Sequence, residues 1–553
     1  MQAARLFHTV RHLRATQIRH QLLNRVLSPA RVRVAASVVR TRADLRPVPY
    51  ITGACGAVST GLTFRFLNES RSTLGPIDWA SPAMSRLWRY NLHYFDYLLD
   101  DALPHAVKTR LIDDWIQKNP PGDSEGWEPY PLSLRIVNWI KYCLQHGVDS
   151  VPQRWLASLY AQTQCLERRI EYHLLGNHLL KNAVALLFAG MFFAGDSAER
   201  WLRRATRLLG EEVTEQFLSD GGHYERSPMY HAICTLDLLD VIAMISQPGL
   251  GDRLQLGEQL RDTARRALDF LEDVSFPDGQ IALFNDSAFG IAPQPAAIVA
   301  HGASVLGWRP RRPLAQLHLI DRAASGYFGV RQGGDMLLVD CGEIGPSYQP
   351  GHAHCDTLSY ELVLNGDRVI VDSGVHDYEA GPLRTHARST AGHNTVQIDG
   401  AEQSEIWGVF RVARRARPLA AALTANGNEW QFEGSHDGYR RLPGQPVHRR
   451  RIVGRGTSVI EVEDLIEGRG DHSAESRIRL HPRYKSVMCG GYARIVEHGG
   501  RCVARIEFAG GVPDVEPARY FPEFGRELAC ECIVLSCAGV LPLRFGYRIF
   551  KEA

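Results

Sequence analysis

One change of hydrophobic period, close to Arg322, constrains this chain more than any other feature. From about Pro104 to Leu306, apolar residues recur at spacings of three and four. The pattern predicts helices near 104–118, 132–147, 152–173, 178–194, 198–218, 229–247, 252–274 and 293–306. Short Gly, Pro, Asp or Asn punctuation separates them, so successive helices should pair antiparallel, and their number fits a ring or partial ring of helical hairpins. After Arg322 short alternating runs take over, among them GYFGVRQ, DMLLVDCG, SYELVLNG, SVIEVEDLIEG and CECIVLSCAG. Frequent turns such as Asn365-Gly366 and Asp399-Gly400 separate them, which predicts a large antiparallel β-sandwich. At 553 residues the chain is too long for one core, and the boundary falls near 307–322.

The densest chemistry lies between Gly351 and Thr395. LSYELVLNG and RVIVDSG read as two strands joined at Asn365-Gly366. His352 and His354 are two apart, so on a strand they share a face. Asp372 ends the second strand, and His393 precedes a further strand, NTVQIDG. A hairpin can therefore gather His354, Asp372 and His393, a donor set that suits Zn²⁺ or a similar divalent ion. His352 would then sit beside the ion, unligated and free for proton transfer. The blander alternative is a histidine-rich strand edge paired with Asp356 and Asp372, since the chain has 22 histidines.

Composition excludes several classes. Apolar content of 44%, charge of 22% and net charge of +2 describe a globular protein, without a nucleic-acid signature. The 11 cysteines form no CxxC pair and read as reduced and buried, with Cys355 close to the histidine cluster. The longest apolar run, Ala183–Ala194, is too short to cross a bilayer. The first residues lack a hydrophobic secretory core, so a cytoplasmic location is expected over a periplasmic one. Residues 1–47 carry nine arginines before the first acid, Asp44, with Leu6, Val10, Leu13, Ile18, Leu22 and Val26 at near-helical spacing. A basic helix packed on its own domain is the preferred reading. The alternative is an interfacial helix held to anionic lipid or to a membrane-bound assembly complex. Residues 48–84, rich in Gly, Ser, Thr and Pro, are expected to wrap as loop.

Three places in the helical half could carry chemistry. In LLGNHLLKNA, Asn177 and His178 open a strongly apolar helix; Asn177 is expected as a cap, and the pair could also face a cavity mouth. In SDGGHYERSPMYHA, Ser227-Pro228 is a helix start, which places Tyr230 in the first turn, where the helix dipole would lower its pKa. In WEPYPLSLRIVNW, Glu128, Arg135 and Asn138 cluster; Arg135 and Asn138 share a helix face that could hold an anionic sugar or an internal ion pair.

Taken in order, GNHLLKNA, DGGHYERSPMYH, GHAHCD and VDSGVHDYEAGPLRTHARSTAGHNTV resemble the heparinase II/III-like polysaccharide lyases, which include oligoalginate lyases. The segments VRHLRATQI and WRYNLHYFDYL add to the match. The resemblance implies an α+β, multidomain chain: wrapping segments over 1–84, an (α/α) toroid over 85–315 and an antiparallel β-sandwich over 316–553. It implies β-elimination on a uronate-containing acidic polysaccharide, with Asn177 and His178 neutralising the carboxylate. Tyr230 matches the catalytic tyrosine and His352 its partner in proton transfer. Tyr378 stands near a second tyrosine of the alginate-lyase branch. His354, Asp372 and His393 match ligands of a structural Zn²⁺. Arg135, Arg384 and Arg388, with Glu128 and Asn138, are then expected to bind the acidic glycan. The rivals are a uronate C5-epimerase on the same plan and a non-catalytic glycan-binding protein of an assembly complex.

Overall fold

The protein, a computed structural model, is described over residues 2–26, 39–51, 57–59, 61–73, 75–122, 124–247, 256–311 and 316–552. Among the described residues eleven α-helices precede the sandwich: α1 Gln2–Val10, α2 Ala15–Val26, α3 Arg86–Tyr94, α4 His105–Lys118, α5 Pro129–His146 and α6 Gln153–Arg168. They continue with α7 Gly176–Phe192, α8 Asp196–Gln216, α9 Pro228–Ile245, α10 Gly257–Asp273 and α11 Pro295–Leu306. The start of the helix expected from residue 252 lies outside the described residues as far as 255.

Helices α3, α5, α7, α9 and α11 pack on one another in succession, while α6, α8 and α10 stand behind them. This is the expected toroid, and the alternation has a geometric consequence. Each inner helix is followed by an outer one that runs back, so the inner helices share a direction. The first turns of α5, α7 and α9 therefore meet at one rim. α9 is apolar and long enough to span a bilayer, against the expectation from run length, yet 78% of it is buried inside the ring.

The segment expected as loop holds a small three-stranded sheet, 57–58, 63–66 and 69–72. Beyond His318 every pairing within the sheets is antiparallel. A five-stranded sheet (His318–Arg322, Tyr327–Gln332, Asp335–Asp340, Tyr360–Leu364, Asp367–Ile370) meets a four-stranded one through the Ile370–Leu480 bridge. An eight-stranded sheet covers both. Phe328, Leu337 and Val339 of the first, Ile478 and Ile533 of the second, and Phe432, Ile452 and Val462 of the third form one core. The other face of the five-stranded sheet, through Tyr327, Met336 and Leu338, joins the core of the ring. Burial on both faces explains why Asp335–Asp340 has no exposed position, whereas Val447–Arg455 alternates.

Helices α1 and α2 lie across both halves. Arg14 donates to Glu215 in α8 (3.1 Å), Gln17 to the Tyr348 carbonyl (3.2 Å), and Trp407 Nε1 to Thr9 Oγ1 (3.0 Å). The basic segment thus packs on its own chain, but Phe7 and Leu22 remain 64% and 56% exposed.

Candidate active site

The rim of the ring faces the sandwich across a cavity of about 1690 Å³. Tyr130 of α5, His178 of α7 and Tyr230 of α9 line it from one side; His352, Tyr378 and Phe410 line it from the other. Local sequence sets each position. Ser227 caps α9 by accepting the Tyr230 N–H (3.2 Å), and its hydroxyl donates to the Asp286 carbonyl (2.6 Å). At α7 the chain turns through two left-handed residues, Leu175 (φ 64°) and Gly176 (φ 60°). A Cβ on Gly176 would lie 2.3 Å from both Glu225 Oε1 and Gln349 Oε1, so only glycine fits there.

Tyr230 and His352 are in face contact, with ring centroids 3.9 Å apart and planes inclined by 31°. The Tyr230 hydroxyl lies 3.3 Å from that of Tyr378. Burial, and then the neighbouring Tyr378, hold the Tyr230 phenol well above the ordinary tyrosine range. The lowering expected from the helix dipole is thus overridden: loss of water disfavours the phenolate by more than the dipole favours it. Tyr378 is raised in the same way, chiefly by burial.

Behind His352 stands Asp286, which the sequence reading missed. Its carboxylate accepts from His352 Nδ1 (2.9 Å) and His354 Nε2 (2.8 Å), and Arg384 clamps both oxygens. Burial works against its ionisation, but Arg384 and the two imidazoles hold the carboxyl well below its usual range. An ionised carboxylate only accepts, so His352 Nδ1 carries a proton, and Nε2 on the other side of the ring lies 3.6 Å from Glu225. The signal was slight: an Asn285-Asp286 pair in an otherwise apolar stretch, LFNDSAFG.

His178 Nδ1 pairs with buried Glu171 (3.1 Å), and its ring lies against Tyr130. Burial would lower its pKa, yet Glu171 outweighs that and raises it. The shift favours the protonated form of the imidazole at the cleft. Asn177 does not face the cleft: it is buried, with its backbone N–H and Nδ2 both given to Glu225 (2.9 Å each). This departs from both expectations for Asn177, since it neither caps the helix nor keeps an N–H for a substrate carboxylate, its donors being taken by Glu225.

The predicted sugar-binding arginines are also corrected. Arg135 is 0% exposed and donates to Gln162 and the carbonyls of His93 and Gly126. Arg384 is held by Asp286, and Arg388 by the carbonyls of Ala353, Gly408 and Val409. A guanidinium this deeply buried has its donors committed to protein acceptors. Glu128 and Asn138 do line the cleft, Glu128 paired with Arg86 (2.7 Å) and Asn138 with Asp96 (2.6 Å).

Below the cleft, His354, Asp356 and His393 bring ligand atoms within 4.8 Å of one another. His354 Nδ1 and His393 Nε2 are buried and, among the described residues, without a hydrogen-bond partner. Two orphaned imidazole nitrogens beside a carboxylate fit a divalent ion. Asp372, expected as a ligand, instead accepts from His393 Nδ1 (2.7 Å) and so orients that ring from behind. Cys355 is buried with Sγ toward the Ser404 carbonyl, and burial pushes its thiol up, which leaves it inert.

Residues 75–295 match the family described as Heparinase II/III N-terminus, and residues 316–542 match Heparinase II/III-like, C-terminal. A Caulobacter vibrioides protein named FtsZ-localized protein C is 28% identical over 68% of this chain and 64% of its own length. A heparin-sulfate lyase of Bacteroides thetaiotaomicron is 26% identical over 59% of this chain and 54% of its own. The chain thus spans under two thirds of these relatives. The crystal structure of heparinase III superposes with a TM-score of 0.69 at 19% identity, covering 87% of this chain and 80% of that one, a likeness of fold. Two family matches, laid in order along the ring and the sandwich, make the chain a member of the heparinase II/III-like family.

Proposed function

We propose that this protein is a polysaccharide lyase that cleaves a uronate-containing acidic polysaccharide by β-elimination in the cleft between ring and sandwich. The observation that carries this reading is the Tyr230–His352 face contact, which puts an acid and a base at one point of a saccharide-sized opening. The uronate C5 proton becomes acidic once its carboxylate is neutralised, and cationic His178 suits that task. His352 Nε2 takes the C5 proton, and Asp286 stabilises the imidazolium that results. Tyr230, kept neutral by burial, protonates the departing O4. The bond to O4 breaks as the C4–C5 double bond forms, so each proton removed is matched by one delivered. His354, Asp356 and His393 would hold Zn²⁺ or a similar ion, which would brace the loop that carries His352.

Incubation with heparosan, heparan sulfate, hyaluronan and alginate should release unsaturated uronate products with new ultraviolet absorbance. Solvent deuterium entering C5 without chain cleavage would select epimerase chemistry instead, and neither change across the panel would refute both. Exposed Leu6, Phe7, Ile18 and Leu22, set among Arg5, Arg11, Arg19 and Arg25, support contact with an anionic membrane surface on the cytoplasmic side. The chain should then sediment with phosphatidylglycerol vesicles at low salt, and Phe7→Glu should weaken that. Equal sedimentation of the variant would remove the membrane contact from this proposal.

A further inference from the structure

Two buried arginines converge on the tip of one very short hairpin. Ile406 pairs with Val412 and Trp407 with Arg411, and Gly408, Val409 and Phe410 form the turn. Strands of two residues each have almost no stability of their own. The tip is fixed from below. Arg384 gives the Val409 carbonyl two hydrogen bonds (3.1 and 3.2 Å), and Arg388 donates to Gly408 (3.1 Å) and Val409 (2.9 Å). Arg384 also grips Asp286, so the hairpin tip and the acid that holds His352 share one anchor.

What this anchoring positions is Phe410. The residue is 44% exposed and lines the cleft. It stands edge-to-face with Tyr378 (5.4 Å) and His352 (6.5 Å), and the Arg384 guanidinium lies 5.4 Å from its centroid. Leaving a phenyl ring in water forfeits the stabilisation that burial would give. Holding it there with two charged side chains makes physical sense if a ligand covers it.

We infer that Phe410 is the stacking platform of a saccharide subsite beside the acid–base pair. It takes a pyranose ring that presents a continuous C–H face, whatever its charged substituents. The aromatic face is electron-rich and sugar C–H bonds are weakly positive, so the contact is attractive without hydrogen bonds. Carboxylate groups on the same chain are left to His178. This inference rests on reading the cleft as a saccharide site.

The test is equilibrium binding of heparosan, hyaluronan and alginate tetrasaccharides in a Tyr230→Phe background, chosen to slow turnover. Phe410→Ala should weaken binding about tenfold, and Phe410→Trp should stay within about twofold of the parent. In the active enzyme Phe410→Ala should raise KM and leave kcat nearly unchanged, with an unaltered melting curve. Equal binding by Phe410→Ala overturns the platform, and so does equal loss in the Ala and Trp variants, which would indicate shape alone. A parent chain that binds none of the tetrasaccharides overturns this inference together with the saccharide reading. Binding without unsaturated product retires the lyase chemistry and leaves the Phe410 series to decide the platform.

Discussion

In the proposed elimination, Tyr230 and His352 would act from two different environments. The phenol is raised by burial and so stays protonated, while the imidazole is oriented by an ionised aspartate. Tyr230→Phe should lower turnover roughly 10²–10⁴-fold, the usual worth of general acid catalysis, with no change in unfolding midpoint. Near-normal turnover would reassign the acid to Tyr378. In the same proposal His178 is expected to set the pH dependence. Its folded pKa lies above the ordinary value because Glu171 outweighs burial. Its charge is therefore complete below the ordinary histidine range and disappears as pH rises through the raised value. Affinity for a uronate oligosaccharide should fall over that alkaline window, and His178→Gln should flatten the dependence; a pH profile unchanged in the variant would remove His178 from carboxylate binding. The residue types at the cleft were legible, but their partners were not. Arg384 and Arg388 have the same letters whether an arginine meets a sugar or a carbonyl, and only the fold brings the Val409 carbonyl to them.

Among elements, legibility followed burial. The ring helices could be read because their apolar stripes repeat, and Val447–Arg455 or Val459–Glu467 because one face is wet and the other dry. Edge strands such as Pro418–Asn426 and Val512–Tyr520 are mostly exposed, so nothing in their sequences forces alternation. The segment Leu283–Ser287 gave only a slight signal for another reason: apart from the Asp286 carboxylate, it works largely through its backbone. Its N–H groups at Leu283 and Asn285 donate to Glu361 (2.6 Å) and Asp356 (2.9 Å), which pins the ring to the sandwich. The entry to α7 is similar, because Gly176 matters for what it lacks. Gly176→Ala places a methyl against Glu225 and Gln349 in a left-handed conformation, so it should destabilise the chain by about 2 kcal/mol or more. Denaturant midpoints measure this; a shift within experimental error would mean that the α7 entry relaxes freely.

At the scale of the molecule, the two halves are joined at a place where several buried charges meet. Asp286 on the ring side touches His354, and His354 shares a cluster with Asp356 and His393 on the sandwich side. An ion there would satisfy the orphaned nitrogens of both histidines, each of which otherwise costs about 1–3 kcal/mol. It would also tie the loop carrying His352 to the segment before Val396–Ile398. Removing the ion with a chelator should therefore lower the thermal midpoint of the entire chain, since the junction and both cores depend on the same braces. The ligand set is tested separately by metal content. Asp356→Asn should abolish tight binding, because a ligand is lost outright. Asp372→Asn should reduce affinity about 10–100-fold, the effect of a residue that only orients His393. Metal loss in the reverse order would restore Asp372 as the ligand, in line with the spacing argument. A midpoint indifferent to chelation, with no bound metal in the purified protein, would mean that buried His354 and His393 stand without an ion.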